Sequence, residues 1–538
     1  MSKITKKVPV EVQNRSGFNC SHSSTFSATC GTLTPIMVDH VMPNTTINLD
    51  VSCEVNLPPA ISDFYGSIEA RMEFFFVPYR VIWAGWKYFF VQPPQGGGSN
   101  IPSNTPQQIR IDYVPGFRNP ATNQITPGSL MDMLGYKMIN GPRVDRSLPN
   151  ILPLVAYHKI YDDFYRDSRL TAPVFRPPHY AADNSSWKCL PWLLAYGAPG
   201  IRYTFEPTED LFNLHQRCWD KDYFTNATYA PQSGDEASLE LSFEVTGDAD
   251  DGGEVSANGT TSFSMSQLYV MNSLQRFATI NNIAGMRQAD QQYARFGCYP
   301  SDSALDRPLY LGQKRFSVYK RSVYQQNSST LTTGNPFDGL LGNKTSALSG
   351  YGEGFMGKFH AKDAGLIFVM FSLVPKATYS TGVRRYLSYD SLSDFPEPLL
   401  QGVGDQPIYQ FEVSGFRTSD GNLFNKDEVF GYTQRYAEAK FMQDEVHGLL
   451  RDGSDLSMFQ LQRSFAEDQQ LGTSFLEIPI DYLDQITTAD ASVSKYGCWC
   501  NCSFNYKKVQ PLAAYSLPTL GDPKDTHTVI VDNGGRRL

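Results

Sequence analysis

Three cysteines, Cys498, Cys500 and Cys502, occupy alternate positions near the C-terminus. On a strand this spacing puts all three thiols on one face, which Phe504 and Tyr506 continue. Zinc sites use cysteine pairs two to four residues apart on turns, with a fourth ligand. The run reads instead as small apolar side chains against a core. Gly352-Glu353-Gly354-Phe355-Met356-Gly357 fits the Gly-x-Gly-x-x-Gly pattern. A dinucleotide site needs a strand before that pattern and a helix after it. Here a polar stretch precedes and a strand-like run follows, so a flexible loop is expected. Asp248-Ala249-Asp250-Asp251-Gly252 opens like a calcium loop, but Gly259 stands where the twelfth-position bidentate Glu belongs. A solvated turn is the expectation there.

The eight histidines are scattered, and none has another within five residues. Asp444-Glu445 beside His447, and His360 with Asp363, come nearest to acid–base pairs; a long chain supplies such neighbours by chance. No Gly-x-Ser-x-Gly, His-Glu-x-x-His or Walker loop is present. No catalytic, metal or cofactor residue is therefore assigned, and no enzyme activity is expected. Basic residues gather at the ends: Lys3, Lys6, Lys7 and Arg15, then Arg536 and Arg537. Short basic termini can contact phosphate without sequence preference. A solvated flexible tail fits the same residues.

The elements that could position these groups follow from composition and periodicity. The chain has 538 residues, 41% apolar and 19% charged, which excludes a disordered chain. Its net charge of −9 argues against a surface that wraps nucleic acid throughout. Residues 1–7 are polar and basic and no export signal follows, so reduced thiols are expected for the nine cysteines. Residues 365–374 are too few to span a bilayer, and 73–91 contain Glu73, Pro78, Arg80 and Lys87. A soluble chain is expected.

Residues 47–57 alternate strictly between apolar and polar, the mark of a half-buried strand, stopped by Pro58-Pro59. Similar alternation marks 201–205, 239–245 and 409–413, while 366–374 is apolar on both faces like a covered central strand. These strands lie far apart in sequence, which favours a Greek-key or jelly-roll sheet over a meander. Helical spacing appears at 153–169 and 266–296, and less clearly at 428–450, where Gly431 interrupts. Long polar loops are expected at 92–106, 247–259 and 325–357. The acidic 247–259 segment reads as an exposed hairpin tip between 239–245 and 263–265.

Several blocks together resemble the major capsid protein of the Microviridae, in particular the gokushoviruses, small single-stranded DNA phages. They are Arg15-Ser16-Gly17-Phe18 with Gly31-Thr32-Leu33-Thr34-Pro35-Ile36, Glu73-Phe74-Phe75-Phe76-Val77-Pro78-Tyr79-Arg80, Asp222-Tyr223-Phe224-Thr225 and Arg307-Pro308-Leu309-Tyr310-Leu311-Gly312. Val429-Phe430-Gly431-Tyr432 and Arg435-Tyr436-Ala437-Glu438 follow in family order. At 152–167 the chain departs from the pattern, with His158 in place of Asn and Tyr165 in place of another aromatic.

The resemblance implies one mainly β domain over 1–538, a single eight-stranded antiparallel jelly roll with long loop and helical insertions. It implies sixty copies in a T=1 icosahedral shell around circular single-stranded DNA, with a basic N-terminal arm at 1–15. An inserted excursion over about 222–297 would project at the three-fold axes, carrying Leu239, Leu241, Phe243, Val245, Asp248, Asp250 and Asp251, and could serve host attachment. Lys3, Lys6, Lys7, Arg15, Arg536 and Arg537 would face DNA. The implied partners are a small basic DNA-binding protein, an internal scaffolding protein, a DNA pilot protein and a host receptor, with assembly in bacterial cytoplasm and no membrane insertion. The rival expectation is a carbohydrate-binding or glycan-cleaving β-sandwich, since jelly rolls also serve lectins.

Overall fold

The computed structural model describes residues 15–60, 64–82, 127–136, 152–171, 213–231, 307–324, 344–415, 426–486 and 497–512, apart from single positions, together with isolated helical positions between 269 and 294. Its strands are β1 (Ser16–Asn19), β2 (His22–Ala28), β3 (Thr34–Val41), β4 (Thr45–Ala60), β5 (Ile68–Pro78), β6 (Leu309–Ser317), β7 (Tyr319–Tyr324), β8 (Lys344–Ala361), β9 (Gly365–Pro375), β10 (Asp405–Tyr409), β11 (Val429–Gln434) and β12 (Cys498–Gln510). They form two large antiparallel sheets. One runs β1-β12-β4-β8-β7, with β2 also paired to β12; the other runs β3-β9-β5-β6. β10 and β11 pair separately.

The alternation over 47–57 sets the first sheet. Ile47, Leu49, Val51, Cys53, Val55 and Leu57 all point into the core, and the intervening polar residues face away. The strand does not stop at Pro58-Pro59. It runs to Ala60, past a register irregularity between Leu57 and Ala60 against β8. β12 repeats the pattern: Cys498, Cys500, Cys502, Phe504 and Tyr506 are buried and the residues between them are exposed. Against this layer pack Ala70, Met72, Phe74 and Phe76 of β5 with Ile367, Val369 and Phe371 of β9.

β9 is buried at every position. One face belongs to the inter-sheet core. The other, with Leu366, Phe368 and Met370, meets a second core that contains Phe75 and Val77 of β5 and helix α1 (Leu152–Ile160). A π-helical turn, Tyr161–Tyr165, extends α1 and buries Tyr161. So 366–374 is apolar on both faces because it separates two cores. The third core, with Phe224, Tyr379, Ile408, Phe430 and Phe475, lies around β10 and β11.

Two further expectations are corrected. Gly352–Gly357 is not a loop but the middle of β8, paired with β4 through Cys53↔Gly352 and Val51↔Gly354. A Cβ at Gly352 would stand 2.3 Å from Cδ1 of Phe316, so these glycines let β8 pass close over β6. The alternation 409–413 is not one strand: β10 ends at Tyr409 and Gln410–Ser414 is a helical turn. The Glu412 carboxylate accepts the Tyr409 N–H at 3.0 Å and caps that turn. The 428–450 segment holds β11, a short helix at Ala437–Lys440 and a 3-10 turn at Gly448–Leu450. Tyr269, Leu274, Tyr293 and other described positions in 266–296 are helical and exposed. The strand readings at 201–205 and 239–245 lie outside the described residues.

Candidate assembly surfaces

The second sheet carries charged residues on its outward face, and these fix the chain that covers it. Glu69, Arg71 and Glu73 alternate along β5 with the core residues Ala70, Met72 and Phe74. Arg71 is buried and bridges Glu69 at 2.8 Å and Asp220 at 2.5 Å. Those carboxylates raise its pKa against the burial that opposes them, and Arg71 in turn lowers that of Asp220. Glu73 accepts from Arg217 at 2.7 Å and from the Tyr165 hydroxyl. Arg217 also donates to Ser372 of β9 at 3.1 Å. Segments 161–165 and 213–231 are thus pinned on the sheet by buried, charge-assisted bonds.

Beside α1, His158 Nδ1 lies 2.9 Å from His215 Nε2. Tyr161 stacks on His215 with centroids 3.7 Å apart. The Tyr157 hydroxyl donates to the Leu33 carbonyl at 2.9 Å and accepts the His215 N–H at 2.9 Å. Burial, then the neighbouring His158, holds the His215 pKa well below its ordinary value. No sequence signal joined these histidines, 57 residues apart.

In the third core Arg463 is buried without a carboxylate partner among the described residues. Its guanidinium lies over Phe475 at 4.3 Å and Trp219 at 4.9 Å, and donates to the Tyr379 hydroxyl at 3.1 Å and the Phe475 carbonyl at 2.6 Å. Next to this core opens a cavity of about 280 Å³. Its polar floor is Arg385 with Glu412 and Glu438. Arg385 Nη1 stands 3.2 Å from Glu412, which also accepts from the Tyr223 hydroxyl at 2.8 Å. Burial pushes the Glu412 carboxyl up to about 7, while Arg385 and its two other donors pull it down. Tyr386, Pro396, Phe441 and Met442 add apolar lining, and Arg384, Gln443 and Glu445 line it as well. Every polar group on the floor is already engaged within the chain, which suits a structural pocket better than a reactive one.

Those residues singled out in the sequence that lie among the described ones form no single site. Arg15 is exposed, and its guanidinium donates to Thr46 Oγ1 at 2.8 Å and the Val509 carbonyl at 3.2 Å. Lys3, Lys6, Lys7, Arg536 and Arg537 lie outside the described residues, as do Leu239, Leu241, Phe243, Val245, Asp248, Asp250 and Asp251. His447 is exposed and meets Glu445 at 3.4 Å. Cys498 and Cys500 are buried apolar groups with sulfurs 3.7 Å apart. The expectation of uniformly reduced thiols fails for one pair: Cys53 and Cys502 form a disulfide. The β4–β12 register sets them directly opposite, Cα atoms 4.1 Å apart, although 449 residues separate them in sequence.

Comparison with known proteins gives this arrangement its context. The chain matches the family model described as capsid protein (F protein) over residues 6–259 and 253–520. It is 24% identical to capsid protein VP1 of Bdellovibrio phage phiMH2K, over 95% of this chain and 96% of that one. It is 24% identical to capsid protein VP1 of Chlamydia phage 1, over 97% and 98% of the two chains. The figure for capsid protein VP1 of Spiroplasma virus 4 is 22%, over 94% and 95%. With this family match and these near full-length relatives, the two stacked antiparallel sheets and the insertions pinned on them are those of a structural capsid protein, and the chain belongs to the phage capsid protein (F protein) family.

Proposed function

We propose that this major capsid protein is a single jelly roll, sixty copies of which close into an icosahedral shell around circular single-stranded DNA. The observation that carries the reading is the strand order. Taking the eight strands β2, β3, β4, β5, β6, β8, β9 and β12 in sequence as first to eighth, one sheet reads first-eighth-third-sixth and the other second-seventh-fourth-fifth. That interleaving is what two nested Greek keys produce. Family membership and the near full-length matches support the shell.

The excursion over about 222–297 serves as the surface protrusion in this reading, and the basic termini serve as the DNA-facing arms. The acidic chain, at net −9, leaves most phosphate to be neutralised by a small basic protein packaged with the genome. Internal scaffolding and DNA pilot proteins complete the particle, which assembles in the host cytoplasm before the protrusion meets a receptor.

Electron microscopy of the purified full-length protein tests the shell. Uniform closed particles of sixty subunits are expected; a population of monomers at every concentration overturns it. Replacing Lys3, Lys6, Lys7, Arg536 and Arg537 with neutral residues should lower DNA retention more than shell formation. Unchanged packaged DNA would remove the termini from the genome face.

A further inference from the structure

One corner of the first sheet gathers positive charge on its outward face, and the strand register shows how. Lys507 of β12 pairs with Asn48 of β4 on one side and with Asn19 of β1 on the other. Asn48 pairs in turn with Lys358 of β8. The next row on that face holds Val509, Thr46 and His360. Arg15 stands just before β1, and its guanidinium reaches Thr46 Oγ1 at 2.8 Å. His360 Nδ1 lies 3.1 Å from the same hydroxyl. Lys362 follows in the turn to β9. Arg15, Lys358, His360, Lys362 and Lys507 are all exposed.

The neighbouring acids are engaged or lie elsewhere. Asp363 pairs with Arg80 at 3.1 Å, and Asp39 pairs with Lys508, which points to the buried side of β12. Arg15, Lys358, Lys362 and Lys507 enter no ion pair among the described residues. The carboxylates on the exposed face sit farther up the sheet: Asp50 one row above Asn48, then Glu353 and Glu54. Glu353 accepts from the Tyr351 hydroxyl at 2.7 Å. In a chain of net charge −9, this corner is a local cationic patch whose counter-charge comes from outside.

The layout selects the shape of the anion. Up the strands it would meet Asp50 and Glu353; across them it passes Lys358, Asn48, Lys507 and Asn19 in one row. Two strand spacings put the backbones of Lys358 and Lys507 roughly 10 Å apart. An extended polyanion spans that distance and a single small anion does not. The amides of Asn48 and Asn19 add neutral donors between and beside the charges. These two rows hold no large exposed apolar side chain, so they lack the apolar centre of a protein interface. The corner is also where residues 1–14 lead into the fold, and Ser16 pairs there with Gln510 near the end of β12.

We propose that this corner clamps the phosphate backbone of single-stranded DNA, with Lys358 and Lys507 as the main contacts and Arg15, His360 and Lys362 around them. The inference rests on the genome-enclosing reading above and adds to the basic termini a fixed site on the folded body. Contacts of this kind hold phosphate without reading sequence.

Fluorescence anisotropy of a labelled dT20 oligonucleotide, titrated with unassembled full-length protein, tests the site. Lys358→Gln with Lys362→Gln and Lys507→Gln should keep the wild-type unfolding midpoint, since all three side chains are exposed. It should weaken dT20 binding by on the order of tenfold and flatten the slope of log affinity against log salt by about 2. The same three positions changed to Arg should bind like wild type. Lys440→Gln, a charge change on the helix Ala437–Lys440, should leave binding unaltered. Unchanged affinity and salt slope in the triple Gln variant overturns the clamp, and loss of DNA on neutralising the termini alone would then leave the genome reading standing. Displacement of dT20 by poly-glutamate at equal charge concentration overturns nucleic acid as the occupant. Closed wild-type particles that never hold DNA overturn the genome reading and the clamp with it.

Discussion

Arg217 Nη1 lies 2.7 Å from Oε2 of Glu73, and both side chains are nearly excluded from solvent. The pair ties a segment 144 residues downstream onto β5. Removing one partner leaves the other buried and unmatched, so Glu73→Ala should cost about 3–5 kcal/mol. Replacing both with apolar residues, as in Glu73→Leu with Arg217→Met, should cost much less. Denaturant unfolding of the three proteins checks this; equal losses in single and double variants would mean that packing, not charge, dominates.

The Cys53–Cys502 disulfide joins neighbouring strands of the first sheet across 449 residues of sequence. Cys53→Ser with Cys502→Ser should lower stability by about 2–4 kcal/mol. Reduction of the denatured wild type should release two more titratable thiols than denaturation alone. No increase would mean that the pair is reduced.

How far the sequence foretold this structure depends on how local each signal was. The alternation at 47–57 and 498–506 gave the correct inward faces, because a strand with one buried side writes its period directly into side-chain polarity. The two-faced burial of 366–374 was also legible. The pairing of Cys53 with Cys502 was not, since it depends on a register between distant strands. Gly352 and Gly354 looked like a loop because a close strand crossing and a loop both ask for glycine. Phe411 and Val413 looked like a strand because three alternating positions are too few to separate the periods. The pocket at Arg385, Glu412 and Glu438 and the pinning of Arg217 on Glu73 had no local signature; Glu69, Arg71 and Glu73 at alternate positions of β5 were the one hint of a charged second face.

Acid should act on two buried groups in opposite directions. His215 has a native pKa well below its ordinary 6.5. The unfolded chain therefore gains the proton first, and stability falls as pH drops below about 6.5. Glu412 has a native pKa of about 7 against an ordinary 4.5. Its carboxyl binds the proton more tightly when folded, so its burial cost is present above pH 7 and is relieved as pH falls toward 4.5. His215→Phe, which keeps an aromatic ring against Tyr161, should leave the Glu412 effect exposed: stability should rise as pH falls from 7 to 5, by up to about 1.4 kcal/mol per unit. Unfolding free energies across that range decide it; a flat variant profile would mean that Glu412 titrates in its ordinary range.

The close passage of β8 over β6 makes its own prediction. A Cβ on Gly352 would meet Phe316 at 2.3 Å, and one on Gly354 would meet Lys314 Cβ at 2.8 Å. Gly352→Ala should therefore overpack the site and cost about 1–3 kcal/mol. Phe316 is half-buried and packs against the main core, so Phe316→Ala should also destabilise. Combining them gives the added methyl the space the ring vacates. The double variant should lose less than the sum of the singles, with a coupling of at least about 0.5 kcal/mol. Strict additivity in denaturant unfolding would show that the strands separate to admit the methyl group, and that Gly352 is not what holds β8 against β6.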